Sequence, residues 1–192
     1  MKKLEEKIVR EGRVYPGNVL KVGNFLNHQI DTVFLKEMCE EMVRLYKDAG
    51  VTKVLTVESS GIAIAAVVAM MMEVPLVFAK KNKSSNISSE LYCAVVHSFT
   101  HNSDFNVVVE KDYINKGDRI LIVDDFLAIG NAVSGLVDIV HQAEAEVVGV
   151  TVAIEKGFQG GGDHLREIGI RVDSMAIVDS MEDGIIKFRE QN

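Results

Sequence analysis

Cysteine is scarce in this chain. Cys39 and Cys93 lie far apart and form no CxxC pair, which excludes a disulfide framework and a CxxC site. Basic charge is also short. Lys and Arg number 21 against 28 Asp and Glu, a net charge of −7. Without a basic patch the chain is not expected to bind nucleic acid, although a small phosphorylated ligand needs no more than a local site. Apolar runs stop early. In "GIAIAAVVAMMMEVPLVF", Glu73 and Pro75 follow twelve apolar or small residues, short of the roughly 20 that a membrane span needs. The run reads as a buried helix followed by a buried strand, with no membrane partner. The opening "MKKLEEKIVREG" carries glutamates where a secretory leader has its apolar core, and reads as a first helix. No internal repeat, low-complexity tract or linker is visible. A cytoplasmic enzyme or binding protein is expected.

What is present suits one domain over residues 1–192. The chain is 47% hydrophobic and 26% charged, enough for a full core. A helix is expected from about Thr32 to Asp48, with Asp31 as N-cap, Phe34, Met38, Met42 and Leu45 as its apolar stripe, and Gly50 as its stop. Residues 14–30 look irregular. From "VTKVLTV" onward, apolar strands without polar alternation are separated by helices, and "VVHSFT" and "FNVVVEK" suggest a hairpin. "IRVDSMAIVD" reads as the last strand. The expected fold is α/β, a mainly parallel sheet with helices on both faces. Ligands in such sheets bind at the carboxyl ends of the strands.

One such end holds an unusual sequence. In "RILIVDDFLAIGNAVSGLVDIV" (Arg119 to Val140), an apolar strand reaches two adjacent acids, then a short turn with one glycine, then a helix. Adjacent like charges repel, so the pair calls for a partner. A helix start offers free N–H groups and a positive dipole end, which suits a phosphate, and carboxylates accept hydrogen bonds from hydroxyls. A ribose 5-phosphate, with a diol beside its phosphate, satisfies both. By pattern alone the stretch is equally a strand end with solvated acids and a capped helix. A second strand–helix turn, "VESSGIAIA", repeats the design at Glu58, Ser59, Ser60 and Gly61. Alone it reads as a plain turn, and the lysine-rich "AKKNKSSNISSELY" reads alone as a solvated loop. No residue cluster specifies a metal site.

"ILIVDDFLAIGNA" resembles the phosphoribosyl-pyrophosphate motif of type I phosphoribosyltransferases, and the rest of the chain is similar over nearly its whole length, nearest the bacterial purine-salvage branch. The resemblance implies that fold, with residues 1–30 contributing a small N-terminal hood over a purine. It implies transfer of phosphoribose from 5-phospho-α-D-ribose 1-diphosphate to N9 of a purine, with xanthine the expected base and guanine, hypoxanthine or adenine the alternatives. A non-catalytic purine-binding regulator is the other alternative, but no DNA-binding module is visible. Asp124 and Asp125 then hold the ribose diol, and Ala128, Ile129, Gly130, Asn131 and Ala132 form the 5′-phosphate turn. Glu58, Ser59, Ser60 and Gly61 form the pyrophosphate loop. The family often has hydroxyl residues at the positions of Ile129 and Ala132, so backbone N–H groups and Ser134 must do more here. Ser60 stands where relatives often carry a basic residue, which makes Lys81, at the start of an expected lid over residues 80–90, the cation for the pyrophosphate. Leu20, Asn27 and Lys156 fall at base-contact positions, and Phe158 is a candidate for stacking. Mg²⁺ carried by the diphosphate substrate and a homodimer are further implications.

Overall fold

The computed structural model of the chain describes residues 1–82, 90–98 and 103–191. It opens with α1 (Lys2–Glu11), β1 (Arg13–Tyr15) and β2 (Val19–Lys21), followed by a single π-type turn over Gly23–Asn27 and then α2 (Thr32–Tyr46). Next come β3 (Lys53–Val57), α3 (Gly61–Met72), β4 (Leu76–Asn82), β5 (Leu91–Ser98) and β6 (Ser103–Glu110). The chain continues through β7 (Arg119–Leu127), α4 (Asn131–Gln142), β8 (Glu146–Lys156), α5 (Gly161–Glu167), β9 (Val172–Ser180) and β10 (Lys187–Phe188). Among the described residues the main sheet has eight strands in the order β10-β9-β8-β7-β3-β4-β6-β5. β9, β8, β7, β3 and β4 run parallel. β10 and the β5–β6 hairpin are the antiparallel additions.

The unbroken apolar strands follow from burial on two faces. Successive strand residues point to opposite sides. In β7, Leu121 and Val123 join the core under α1, α2 and α3, while Ile120 and Ile122 join the core under α4. Every residue from Ile120 to Asp125 is therefore buried, and no polar alternation can appear. α3 is twelve residues long, and no helix of the described residues is long and apolar enough to cross a membrane.

Several expectations need correction. Residues 14–30 are not merely irregular. β1 and β2 pair from Arg13↔Lys21 to Tyr15↔Val19, and the chain reverses through Gly17 and Asn18, whose φ angles are 81° and 59°. Glycine and asparagine reach this left-handed region at lower cost than other residues. α2 stops at Tyr46, short of Asp48, and buries Leu35, Met38, Cys39, Met42 and Tyr46, a stripe shifted from the expected one. Asp31 caps it as expected, accepting from Phe34 N at 3.1 Å. β9 is followed by a further short strand, β10. The turn of the β5–β6 hairpin lies outside the described residues.

α4 matters most for the site, because its first residue follows the glycine of the acidic strand's turn. Its side chains fasten it to β5: Asn131 Nδ2 donates to His97 O at 3.0 Å, and the Gln142 amide bonds both Cys93 O and Cys93 N, at 2.7 and 3.2 Å. Gly135 allows the close approach, since a Cβ there would stand 2.7 Å from Val96 Cγ2 and 3.3 Å from Val107 Cγ2. Gly135→Val is expected to lower the unfolding free energy by about 1–3 kcal/mol through overpacking. It should appear as a lower urea midpoint at unchanged slope. An unmoved midpoint would show that the helix has room there.

Candidate active site

The parallel strands β4, β3, β7 and β8 are neighbours, so their carboxyl ends lie along one edge. That edge gathers Lys81 from β4, Glu58–Gly61 after β3, Asp124–Ala132 at the end of β7, and Lys156 from β8. The sequence places these residues up to a hundred positions apart. The topology makes them one site.

The acids lie within the strand. β7 keeps its pairing with β8 through Asp124↔Val152 and Phe126↔Ile154, and both carboxyl groups are 6% exposed. They have different surroundings. Asp124 Oδ1 accepts from Asp125 N at 2.9 Å and lies against Gly61, whereas Asp125 Oδ2 accepts from Asn27 Nδ2 at 2.9 Å. Burial, and then the neighbouring charge of Asp125, hold the Asp124 carboxyl well above the usual carboxylate range, with the Asp125 N–H and the Lys81 ammonium pulling the other way.

Gly130 adopts φ 97° at the N-terminus of α4, and Ser134 N reaches back to Gly130 O at 2.8 Å. The N–H groups of the helix's first turn have no intrahelical acceptor and make an anion site. The Asn131 side chain is engaged with β5, which leaves only its backbone facing the turn; Ser134 is exposed. Two of the glycines after Lys156, Gly161 and Gly162, are closely packed inside the protein. A Cβ on Gly161 would stand 2.3 Å from Ala128 O and 2.4 Å from Ile129 C, and one on Gly162 would stand 2.1 Å from Glu155 Oε1. They pack under the 128–130 turn.

In the Glu58–Gly61 loop the Glu58–Ser59 peptide is cis. Glu58 Oε1 accepts from Lys81 N at 2.6 Å, so this carboxylate joins the loop to the end of β4. A Cβ at Gly61 would stand 2.3 Å from Thr56 Oγ1 and 2.5 Å from Asp124 Oδ1, which is why a glycine opens α3 here. The Thr56 hydroxyl is fully buried with no hydrogen-bond partner. Its apolar strand setting gave no signal of this. Ser60 makes no capping bond through its side chain. The Lys81 ammonium lies over the Phe105 ring, 5.5 Å from its centroid. Residues 83–89, the centre of the expected lid, lie outside the described residues.

The hood closes on the same edge. Lys156 Nζ donates to Asn18 O at 3.2 Å and lies 5.9 Å from the Phe126 ring centroid; burial lowers its pKa. Leu20 is buried among the core residues, and Phe158 is 37% exposed beside Lys156 in sequence. Thus Asn27 and the turn at Asn18 bring the hood to Asp125 and Lys156 respectively. Among the described residues no group of three or more His, Cys, Asp or Glu is placed to hold a metal ion.

The raised Asp124 pKa has a stability consequence. A carboxyl whose native pKa exceeds its unfolded value binds more protons when folded, so stability falls as pH rises from the ordinary 3.8 through the raised value. Asp124→Asn is therefore expected to unfold at a higher temperature than wild type near neutrality. The difference should grow as pH rises above about 4 in scanning calorimetry. A variant less stable at every pH would contradict this account of the acid.

The description "Phosphoribosyl transferase domain" belongs to a family model that matches residues 23–175. The chain is 52% identical over 192 residues to a xanthine phosphoribosyltransferase of Bifidobacterium adolescentis, covering 98% of this chain and 100% of that protein. It is 47% identical over 191 residues to one of Oceanobacillus iheyensis (100% and 98% covered) and 50% identical over 190 residues to one of Clostridioides difficile (98% and 100% covered). Among solved structures, adenine phosphoribosyltransferase from Rhodothermus marinus superposes with a TM-score of 0.74 at 21% identity, covering 93% of this chain and 100% of that one. The enzyme of the same name from Thermoanaerobacter pseudethanolicus gives 0.72 at 19% identity, with 91% and 98% covered. At these identities the superpositions establish the fold.

Proposed function

The chain belongs to the phosphoribosyl transferase family, and we propose that it transfers phosphoribose from 5-phospho-α-D-ribose 1-diphosphate to N9 of xanthine. The products are xanthosine 5′-monophosphate and pyrophosphate, as in purine salvage. The observation that carries the reading is the pair of buried acids at the end of β7, opening directly on the N-terminus of α4 and flanked by the turn after β3. The relatives' shared name points to xanthine as the base.

In this mechanism the N9–C1′ bond forms as the C1′–O bond to the diphosphate breaks. The electron pair leaves with pyrophosphate and the base loses one proton. Ala128–Ala132 bind the 5′-phosphate through backbone N–H groups. Asp124 and Asp125 accept from the ribose hydroxyls. As positive charge develops on the ribose, the ionised form of a buried acid is favoured, and fixed charge in a dry site stabilises that transition state. Glu58, Ser59, Ser60 and Gly61 hold the pyrophosphate with the Lys81 ammonium, and the segment after Lys81 excludes water from the reaction centre. Mg²⁺ would be carried by the diphosphate, with no dedicated protein site, and would neutralise its charge, since Mg²⁺ commonly binds through substrate phosphates with few protein ligands. The hood of residues 1–30 covers the base, with Leu20 and Asn27 on one side and Lys156 on its carbonyl edge. Both cysteines are free thiols, which fits a cytoplasmic location.

Pyrophosphate release measured with xanthine, guanine, hypoxanthine and adenine tests the reaction, and xanthine should have the highest kcat/KM. Lys156→Met should cost xanthine about 1.5–3 kcal/mol, or roughly ten- to a hundredfold in kcat/KM, because a charge-assisted hydrogen bond is lost in a partly dry site. Adenine lacks the carbonyl and should hardly respond. No release with any base would overturn the function, and an equal fall for all bases would remove Lys156 from base recognition.

We further infer a homodimer. Lys80, Val108 and Cys93 form one cross-strand row, which places Phe78 and Val95 on the same face of the sheet. Phe78 is 40% and Val95 70% exposed there, beside a groove of about 500 Å³ lined by Pro75, Leu76, Phe78, Leu91 and Val108 among others. A second copy is the occupant this reading assigns to it. Sedimentation equilibrium should give twice the chain's 21.2 kDa; a single-chain mass at assay concentration would refute it.

A further inference from the structure

The ion pair behind the 5′-phosphate turn, a buried glutamate with a half-buried arginine, is not used by the mechanism above. Glu155 is 0% exposed, in the strand position just before Lys156. Arg166 of α5 grips it with both ends of its guanidinium, at 3.0 Å to Oε1 and 2.7 Å to Oε2, and the Ser174 hydroxyl of β9 donates to Oε2 as well. Arg166 also donates to Asp163 Oδ1 and Val172 O. The carboxylate is thus satisfied on three sides within the protein, and it is neither solvated nor pointed at the substrate edge.

Gly162 and Gly161 are packed between this pair and the phosphate turn. Gly162 lies against the Glu155 carboxylate with no room for a Cβ, and Gly161 lies as closely against Ala128 and Ile129. Gly161 N donates to Ala128 O at 3.2 Å, and a Cβ on Gly130 would stand 3.5 Å from Gly161 Cα. Backbone is stacked on backbone from the ion pair to the turn, with no side chain in between to absorb a displacement. Close-packed layers of this kind transmit shifts instead of damping them.

We propose that the Glu155–Arg166 pair is a positioning element for the reaction, fixing the 128–130 turn, through Gly161 and Gly162, in the conformation that binds the 5′-phosphate. The inference rests on the reading of that turn as the phosphate site. Arg166 and Glu155 touch neither substrate. Their effect falls on one end of the site, because the acids of β7 and the loop after β3 have their own supports.

The test is Arg166→Lys, which keeps the charge and loses the two-pronged grip, together with Gly161→Ala, which leaves the ion pair intact and pushes on the turn. Both are compared with wild type by calorimetric titration with ribose 5-phosphate and by steady-state kinetics. Misplacement of the turn should raise the ribose 5-phosphate Kd and the KM for the diphosphate substrate roughly ten- to a hundredfold. The kcat at saturating diphosphate and the KM for xanthine should stay near wild type. A merely structural role would lower kcat with the fraction of folded enzyme and leave both KM values alone, and that pattern would overturn the proposal. So would unchanged ribose 5-phosphate affinity in both variants. If Arg166→Lys fails to fold, Glu155→Gln, which keeps the side chain's shape and removes the charge that Arg166 grips, carries the same test. Failure of wild type itself to bind ribose 5-phosphate would instead refute the phosphate site, which keeps the two readings separable.

Discussion

Two carboxyl groups on neighbouring residues can share the end of β7 because the pleat of a strand sends successive side chains to opposite sides. The arrangement of the site follows from that separation. Asp124 is turned toward the loop after β3, where Gly61 makes room for it, and Asp125 is turned toward the hood, where Asn27 meets it. One strand therefore presents an acid to each of the two elements that flank it. A strand buried on both faces is also what makes the pair electrostatically tense: both acids are buried, and Asp124 holds its proton more tightly as a result.

The free protein leaves charged groups of both signs under-solvated at this edge. Burial disfavours the charged form of Asp124 strongly and also disfavours that of Lys156. The contacts that partly compensate them are a backbone N–H for one and the Asn18 carbonyl for the other. A ligand carrying hydroxyl donors near Asp124 and a carbonyl acceptor near Lys156 replaces these contacts with better ones. Any ligand that takes a hydrogen bond from Lys156 has to share or displace the contact that ties the turn at Asn18 to β8.

Much of this was legible in the residues. The unbroken apolar stretch of β7 reports burial on two faces, and Gly130 before a helix marks a turn with free N–H groups. Other features left no mark. β1 and β2 are three residues each, too short for a period to emerge. The stripe of α2 was displaced because Leu35 and Tyr46 flank the expected line, and the hydrogen bond from Tyr46 to Val150 O at 3.0 Å decides which side faces inward. Gly161 and Gly162 look in sequence like space for a ligand, since a glycine does not say what lies against it. Thr56 sits in an apolar strand, and its closeness to Gly61 exists only after folding. The roles given to Lys81 and Lys156 came from family resemblance; spacing alone contained neither.

The fastening of α4 to β5 has a consequence beyond placing the helix. β5 is the outermost strand on its side of the sheet, and an outermost strand offers its unpaired backbone to any extended chain nearby. Gln142 occupies both the donor and the acceptor of Cys93, and Asn131 occupies the carbonyl of His97. At the opposite margin β10 is two residues long, too brief a template to recruit another strand. Amide side chains thus cover part of one margin and brevity limits the other, which leaves fewer free backbone groups for an added strand to pair with.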